Sequence, residues 1–300
     1  MIYTITLNPA FDLHYEMDEF IPCSENYVKK AEKFPGGKGI NVSKALSALG
    51  VLSKAYVVLG KENGEEFISS LKDVSTEPFF AEGRIRENIT IHPEKGKETR
   101  ISLDNFSLAE NVLENVEQKL FSVLKKNDFV VFAGRIPKGI GKERILTFLS
   151  EAKKKGARII LDSNSLSLDD ILNLKPFLIK PNEEEIKALA GNLSFPEFSA
   201  KLNEEGIEHV MISLGAEGIF YSGRKESFPV KAPKIKVLST IGAGDSTVAG
   251  FLAGLEKGYS LKDALCLSVA SGSAACLSEG TLPPKAEDIE TLFKAVKESL

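Results

Sequence analysis

Ser239-Thr240-Ile241-Gly242-Ala243-Gly244-Asp245-Ser246-Thr247, followed by the small and apolar run Val248 to Leu255, is the stretch on which the reading of the fold turns. Gly242-Ala243-Gly244 lets the backbone turn tightly and approach a ligand without Cβ interference. The run behind it has helix length and composition, which places Asp245 at or near a helix N-terminus. Free N–H groups and the positive end of the helix dipole attract anions there. An acid at the mouth of an anion site is a poor choice for phosphate binding alone. It makes sense where the acid removes a proton while the N–H groups stabilise a phosphoryl group in transfer. Taken alone, the stretch reads equally well as a turn with Asp245 as its N-cap.

Outward from this stretch, the same kind of residue recurs at the ends of strands. Met1 to Leu7 is a buried strand broken by Asn8-Pro9, with Phe11-Asp12 just beyond it. Pro35-Gly36-Gly37-Lys38-Gly39-Ile40-Asn41 opens an amphipathic helix ending at Gly50, with Val42, Ala45, Leu46 and Leu49 as its apolar stripe. This is not a Walker A loop, which needs four residues between its glycines and a Ser or Thr after the Lys. Strands over Ala55–Leu59, Phe129–Ala133, Arg158–Leu161, Phe177–Ile179 and Val210–Leu214 alternate with helical segments. That rhythm predicts an α/β fold with a doubly wound, mainly parallel sheet flanked by helices. Leu13–Lys33 and the hairpin around Glu94-Lys95-Gly96-Lys97 interrupt it. They predict a small β-sheet lid made of excursions at about 13–33 and 85–103 from one domain spanning 1–300.

Asp12, Lys38, Arg135, Lys180, Asn182, Gly215 and Asp245 all fall just after strands or at helix starts. In a doubly wound sheet such positions share one edge. Gly-rich turns, cations and one acid along that edge describe a phosphoryl-transfer site. A nicotinamide-dependent dehydrogenase would need G-x-G-x-x-G after an early strand, and Leu7-Asn8-Pro9-Ala10 does not supply it.

Composition narrows the class further. Three hundred residues at 43% hydrophobic and 27% charged suit a globular chain with a large core. A net charge of -4 argues against a general nucleic-acid binder, so an anionic ligand must be met by local cations. Cys23, Cys266 and Cys276 have no metal or disulfide spacing and read as reduced thiols of a cytoplasmic protein. His14, His92 and His209 are scattered and suggest neither a metal cluster nor a His-centred triad. No signal peptide and no membrane-spanning run is read.

Four motifs together carry a resemblance. Thr6-Leu7-Asn8-Pro9-Ala10-Phe11-Asp12, Pro35-Gly36-Gly37-Lys38-Gly39-Ile40-Asn41-Val42, Lys180-Pro181-Asn182-Glu183-Glu184-Glu185 and Gly242-Ala243-Gly244-Asp245-Ser246 stand in this order along the chain. The sequence thereby resembles the ribokinase-like (PfkB-type) carbohydrate kinases over essentially its whole length. Within them it is most similar to the 1-phosphofructokinase and tagatose-6-phosphate kinase branch.

The resemblance implies an ATP- and Mg2+-dependent kinase of a ketohexose phosphate. Fructose 1-phosphate giving fructose 1,6-bisphosphate comes first and tagatose 6-phosphate second; a sugar-phosphate sensor that has kept the fold is the non-enzymatic alternative. It implies Asp245 as general base and the N–H groups of Gly242, Ala243 and Gly244 as an anion hole. Asp12, Gly37 and Asn41 would hold sugar hydroxyls, and Lys38 would meet a phosphate. Asn182 and Glu185 match an N-x-x-E motif that places Mg2+ through water. Lys180, Ser213, Gly215 and Gly218 would line the nucleotide groove, with Ser271, Gly272 and Ala275 near the adenine.

Arg86 and Arg100 bracket the hairpin, and Arg86-Glu87-Asn88 matches the family's Arg-x-Asn. Several cations at the sugar end suit a sugar that already carries phosphate. Three positions depart from the pattern. Ser239-Thr240 replaces Asp-Thr, Asp104-Asn105-Phe106-Ser107 lacks the Gly expected after the lid, and Gly134-Arg135-Ile136-Pro137 stands where the branch carries Gly-Ser-Leu-Pro. The guanidinium of Arg135 is expected to join the phosphate clamp. A small projecting sheet cannot bury both its faces alone, so a homodimer closed through the lid is expected.

Overall fold

The computed structural model describes residues 1–191 and 193–300. The chain opens with β1 (Ile2–Thr6), β2 (Ala10–Glu19), β3 (Lys30–Gly36), α1 (Lys38–Ala48), β4 (Ser53–Gly60), α2 (Gly64–Ser70), β5 (Thr76–Ala81), β6 (Arg86–Lys95) and β7 (Thr99–Ser102). It continues through α3 (Glu110–Val123), β8 (Phe129–Ala133), α4 (Lys142–Lys154), β9 (Arg158–Asp162), α5 (Leu168–Leu174), β10 (Leu178–Ile179), α6 (Glu183–Ala190) and α7 (Phe195–Glu204). β11 (His209–Ser213), β12 (Ile219–Gly223), β13 (Ser227–Val230), α8 (Ala243–Glu256), α9 (Leu261–Ala275) and α10 (Ala286–Ser299) complete it.

The main sheet has the order β13-β12-β11-β10-β9-β8-β1-β4-β5. It is parallel from β11 to β5, while β12 and β13 are antiparallel additions at one edge. Its inner strands are apolar on both sides because helices cover both faces. Side-chain alternation shows this directly. Ile5, Phe132, Leu161 and Ile212 face the layer of α3, α4, α5, α6 and α7, whereas Ile2, Val131, Ile160 and Met211 face α1, α8, α9 and α10. Helix α8 is buried all round, since it lies between the sheet and α9. Val248, Phe251 and Leu252 are fully buried there, each stabilising the fold by about 1.5–3 kcal/mol relative to exposure.

The second sheet has the order β3-β2-β6-β7, with β2 and β6 parallel and both outer pairs antiparallel. It begins at Ala10 and returns at Gly36, wider at both ends than the 13–33 excursion read from sequence. Phe11 anchors its base in a small third core with Ile40, Val57, Leu59, Phe67 and Ile85. This places Asp12 and Asn88, a register pair, over the C-terminal end of β1. Among the described residues no helix is long and apolar enough to cross a membrane.

Candidate active site

The turn before α8 has Gly242 in a left-handed conformation (φ 76°), a geometry that favours glycine. Among the described residues the amides of Gly242, Gly244 and Asp245 meet no internal acceptor, and that of Ala243 has only a long bond to the Thr240 carbonyl (3.4 Å). Free donors at a helix N-terminus form an anion site. Asp245 stands in the first turn and is buried, 6% exposed. The Asn41 amide donates to its Oδ2 at 2.9 Å. Burial, then the nearby Asp162 charge, push the Asp245 carboxyl up to about 6, against the pull of Lys38, Asn41 and Lys180.

Asp162, at the C-terminal end of β9, is a group the sequence reading left out of the site. Its Oδ1 accepts from Lys38 Nζ at 3.1 Å, and its Oδ2 lies 3.6 Å from Lys180 Nζ. Burial favours the neutral acid, but Lys180 and Lys38 outweigh it and hold this carboxyl below the usual range. Burial likewise works against charge on Lys38, yet Asp162, Asp245 and Glu185 keep its ammonium above the ordinary lysine value. Lys180 is buried, 5% exposed, with Ser213 Oγ at 3.5 Å. A Cβ on Gly244 would lie 3.1 Å from Lys180 Nζ, so the ammonium sits at the mouth of the amide turn. Two ammonium groups shared by one carboxylate, facing free amides and a second, high-pKa carboxylate, can stabilise a migrating phosphoryl group while a proton leaves. The sequence signal for Asp162 was an ionisable residue ending a buried strand, Ile159-Ile160-Leu161-Asp162.

The sugar end is built from both sheets. Asp12 accepts from Asn88 Nδ2 at 2.8 Å; Asn88 Oδ1 in turn accepts from Arg86 Nη1 at 2.8 Å, and Arg86 Nε donates to Asn8 at 3.0 Å. Burial raises the Asp12 carboxyl despite Asn88, His14, Lys44 and Arg86. Burial lowers Arg86, assisted by the like charge of Arg135 and opposed by Asp12 and Asp104. Arg135 is exposed and, among the described residues, has no ion-pair partner, while Lys138 is held by Asp104 at 3.0 Å. Two neighbouring guanidinium groups, whose burial and mutual repulsion Asp12 and Asp104 offset only in part at Arg86, suit a dianion. Arg100 lies farther out on the exposed hairpin, where its Nε donates to Glu98 at 2.7 Å.

On the nucleotide side, Asn182 caps α6 and pairs reciprocally with Glu185. Asn182 Oδ1 accepts from the Glu185 amide at 2.8 Å, and Glu185 Oε2 accepts from the Asn182 amide at 2.9 Å. Gly215 and Gly218 bracket the tight turn between β11 and β12. Ser271 and Gly272 lie on α9 where it packs against α8. Ser271 is fully buried with its hydroxyl on the Leu267 carbonyl, and a Cβ on Gly272 would fall 2.3 Å from Thr247 Oγ1. Their small size serves the close packing of α8 on α9. Ala275 lines a small cavity with Asn41, Lys44, Gly242 and Ser246.

A cavity of about 150 Å³ opens beside Lys180 and Glu185, but Leu161, Leu166, Ile171, Ile179 and Leu189 line it. Ser163, Asn164, Lys180 and Glu185 complete the lining; its mainly apolar wall offers phosphate few donors, so the chemistry is placed at the charged groups. Among the described residues no three His, Cys, Asp or Glu side chains converge as a metal cage. Besides Asp245, the acids flanking Lys38 are Asp162, whose buried Oδ2 has no hydrogen-bond partner, and Glu185, whose Oε1 is left free by the cap. This donor set fits a hard cation held chiefly by phosphate oxygens and water, as Mg2+ is.

A family model described as pfkB family carbohydrate kinase matches residues 6–288. The 1-phosphofructokinase of Bacillus subtilis is 35% identical over 284 residues, covering 93% of each chain. Escherichia coli phosphofructokinase-2, solved with substrates and products, superposes with a TM-score of 0.93 at 29% identity over 99% of both chains. A tetrameric inhibited form of the same bacterial protein superposes with a TM-score of 0.87, again at 29% identity and 99% of both chains.

Proposed function

This chain belongs to the pfkB family of carbohydrate kinases, and from that premise we propose that it phosphorylates a ketohexose phosphate with ATP, with fructose 1-phosphate as the preferred acceptor. The observation that carries the reading is Asp245. It is a buried carboxyl pushed up to about 6, set among free amides and within the field of two lysines. Such a group is ionised at neutral pH yet basic enough to take a hydroxyl proton.

Asn41 fixes Asp245 through Nδ2 and leaves a buried Oδ1 without a partner, free to meet a substrate hydroxyl. Asp12 and the Gly37 turn meet further hydroxyls. Gly242, Ala243 and Gly244 offer N–H groups to the phosphoryl oxygens, and Lys38 and Lys180 supply the positive charge that the developing transition state requires. Mg2+, when bound with ATP, neutralises phosphate charge and orients the transferred group. Asp162 and Glu185 would hold its water shell. Ser213, Gly215, Gly218 and Asn182 line the approach for the nucleotide.

The acceptor's own phosphate is assigned to Arg86 and Arg135, whose mutual repulsion a dianion relieves. The similarity to a 1-phosphofructokinase supports the sugar assignment. The test is turnover of fructose 1-phosphate, fructose 6-phosphate and tagatose 6-phosphate with ATP, for the wild type and Arg135→Ser. The preferred substrate should be fructose 1-phosphate. Arg135→Ser should raise its KM about tenfold, the worth of one charge-assisted hydrogen bond, with KM for ATP unchanged. Preference for tagatose 6-phosphate would move the assignment to that sugar, and no phosphorylation of any of the three would overturn it.

A further inference from the structure

Lys44 lies on α1 one turn beyond Asn41 and two turns beyond Lys38. It belongs to none of the four motifs. Its half-buried side chain turns back to the small sheet, where Nζ donates to the Pro35 carbonyl at 2.5 Å. Pro35 and Gly36 run alongside Phe11 and Ala10 in the β2–β3 register, and Gly36 packs directly on the Asp12 carboxylate. On its other side Lys44 lines the small cavity with Asn41, Gly242 and Ser246, the residues around Asp245. Asn41 and Thr281 also line that cavity, and each carries a buried oxygen without a partner.

An ammonium has three donors. Among the described residues only the Pro35 carbonyl takes one from Lys44. The charged groups that act on it are Asp12 from β2 and Asp245 from α8. Lining the cavity from the loop after α9 are Thr281, Leu282, Pro283 and Pro284, which carry no charge. Lys38 and Lys180, by contrast, are already tied to Asp162.

We infer that Lys44 is a positioning residue for the phosphoryl transfer proposed above: anchored on Pro35 between Asp12 and Asp245, its ammonium keeps the base ionised and ties the sugar-binding turn to it. This rests on Asp245 being the base. The balance it works in comprises Asp162, Lys38, Asn41 and Lys180 around Asp245, and His14, Asn88 and Arg86 around Asp12. Burial brings the Lys44 ammonium down to about 8, opposed by Asp12 and Asp245, so its charge is present at neutral pH and titrates just above it. Removing that charge raises the pKa of Asp245. Activity should then fall on the acid side and recover as pH rises.

The experiment compares Lys44→Met and Lys44→Arg. In Lys44→Met the acid limb of kcat should move up by about one unit, the effect of losing a nearby opposite charge. Turnover should drop about fivefold near pH 6, about tenfold near pH 5, and little near pH 8. Lys44→Arg should keep the wild-type acid limb and lose the alkaline limb near 8, because a guanidinium does not titrate there. A readout without turnover accompanies it. The difference in melting temperature that Asp245→Asn produces, measured across pH, follows the ionisation of Asp245, and its midpoint should rise by about one unit in the Lys44→Met background. A loss in Lys44→Met that is equal at every pH, or an unmoved midpoint, would overturn the inference and leave Lys44 as a structural pin of Pro35. If no sugar phosphate is turned over, the functional reading fails while the melting midpoint still decides the role of Lys44.

Discussion

Asp245 pays a stability penalty for its reactivity. Its carboxyl is raised to about 6 in the folded chain, against an unfolded value near 3.8. A group raised on folding contributes stability that is complete below the unfolded value and is lost as pH climbs through the folded one. Above neutrality that loss amounts to about 3 kcal/mol at most. Asp245→Asn is nearly the same shape and can keep the Asn41 side chain as a neighbour. It should lower kcat by about 10²–10⁴ while stabilising the protein by about 1–3 kcal/mol near pH 7.5. The stability gain should shrink to nothing below about pH 3, where the acid is neutral in both the folded and the unfolded chain. Steady-state kinetics and thermal melts across pH check both halves. A catalytic loss without the stability gain, or a gain that persists in acid, would contradict the assignment of a strained, buried base.

The same residue scale shows what a linear reading can reach. Asp245, Lys38 and Asn41 stand in motifs whose residue types are rare in combination, so they were legible as members of one site, and the fold brings them together. Asp162 and Lys44 were not singled out, because an acid at a strand end and a lysine inside a helix are ordinary in sequence. Only the fold shows that Asp162 holds two ammonium groups and that Lys44 reaches back to Pro35. Ser271 and Gly272 pose the opposite problem. Small residues in α9 satisfy a nucleotide contact and tight helix packing equally well on paper, and the 2.3 Å approach of a Gly272 Cβ to Thr247 Oγ1 shows that packing by itself requires the glycine.

At the scale of elements, the buried parallel strands and their helices were legible because apolar runs alternate regularly with amphipathic segments. Strand β5 was missed. All but one of its residues are only half-buried, and Glu77 and Pro78 break its apolar pattern, as an edge position permits. Strands β12 and β13 were missed for a related reason: the glycine-rich turn before them reads as ligand-binding loop and hides the hairpin. The element most exposed to mutation is the junction of β3 with α1. A Cβ at Gly36 would stand 2.1 Å from Asp12 Oδ2. Gly36→Ala must therefore push that carboxylate away from Asn88 or bend the turn. KM for the sugar phosphate should rise about tenfold or more, the loss of roughly one hydrogen bond to a charged group, with KM for ATP little changed. An equal rise for both substrates would mean that the substitution disturbs α1 as a whole and not the sugar end alone.

For the whole molecule the deciding feature is what covers the small sheet. One of its faces carries Asp12 and Asn88 over the site, and His14 and Thr90 on that face are buried. On the other, Leu13, Ile89 and Ile101 lie in one row across β2, β6 and β7, and Ile101 is 44% exposed. Leu103, Val28 and Tyr27 add exposed apolar surface nearby, and β3 and β7 leave both edges of the sheet unpaired. A four-stranded sheet with an apolar outer row and open edges invites pairing with a copy of itself, and closed two-fold symmetry is the commonest outcome. The chain is therefore expected to be a dimer joined through this sheet. Ile101→Asp places a charge in the row without touching the base. It should shift the mass seen by light scattering at micromolar concentration from dimer toward monomer. Because the same strands carry Arg86, Asn88 and Asp12, separation should also raise KM for the sugar phosphate while leaving ATP binding in place. A wild-type chain that is monomeric and fully active would refute the arrangement. A dimer unaffected by Ile101→Asp would place the interface on another surface.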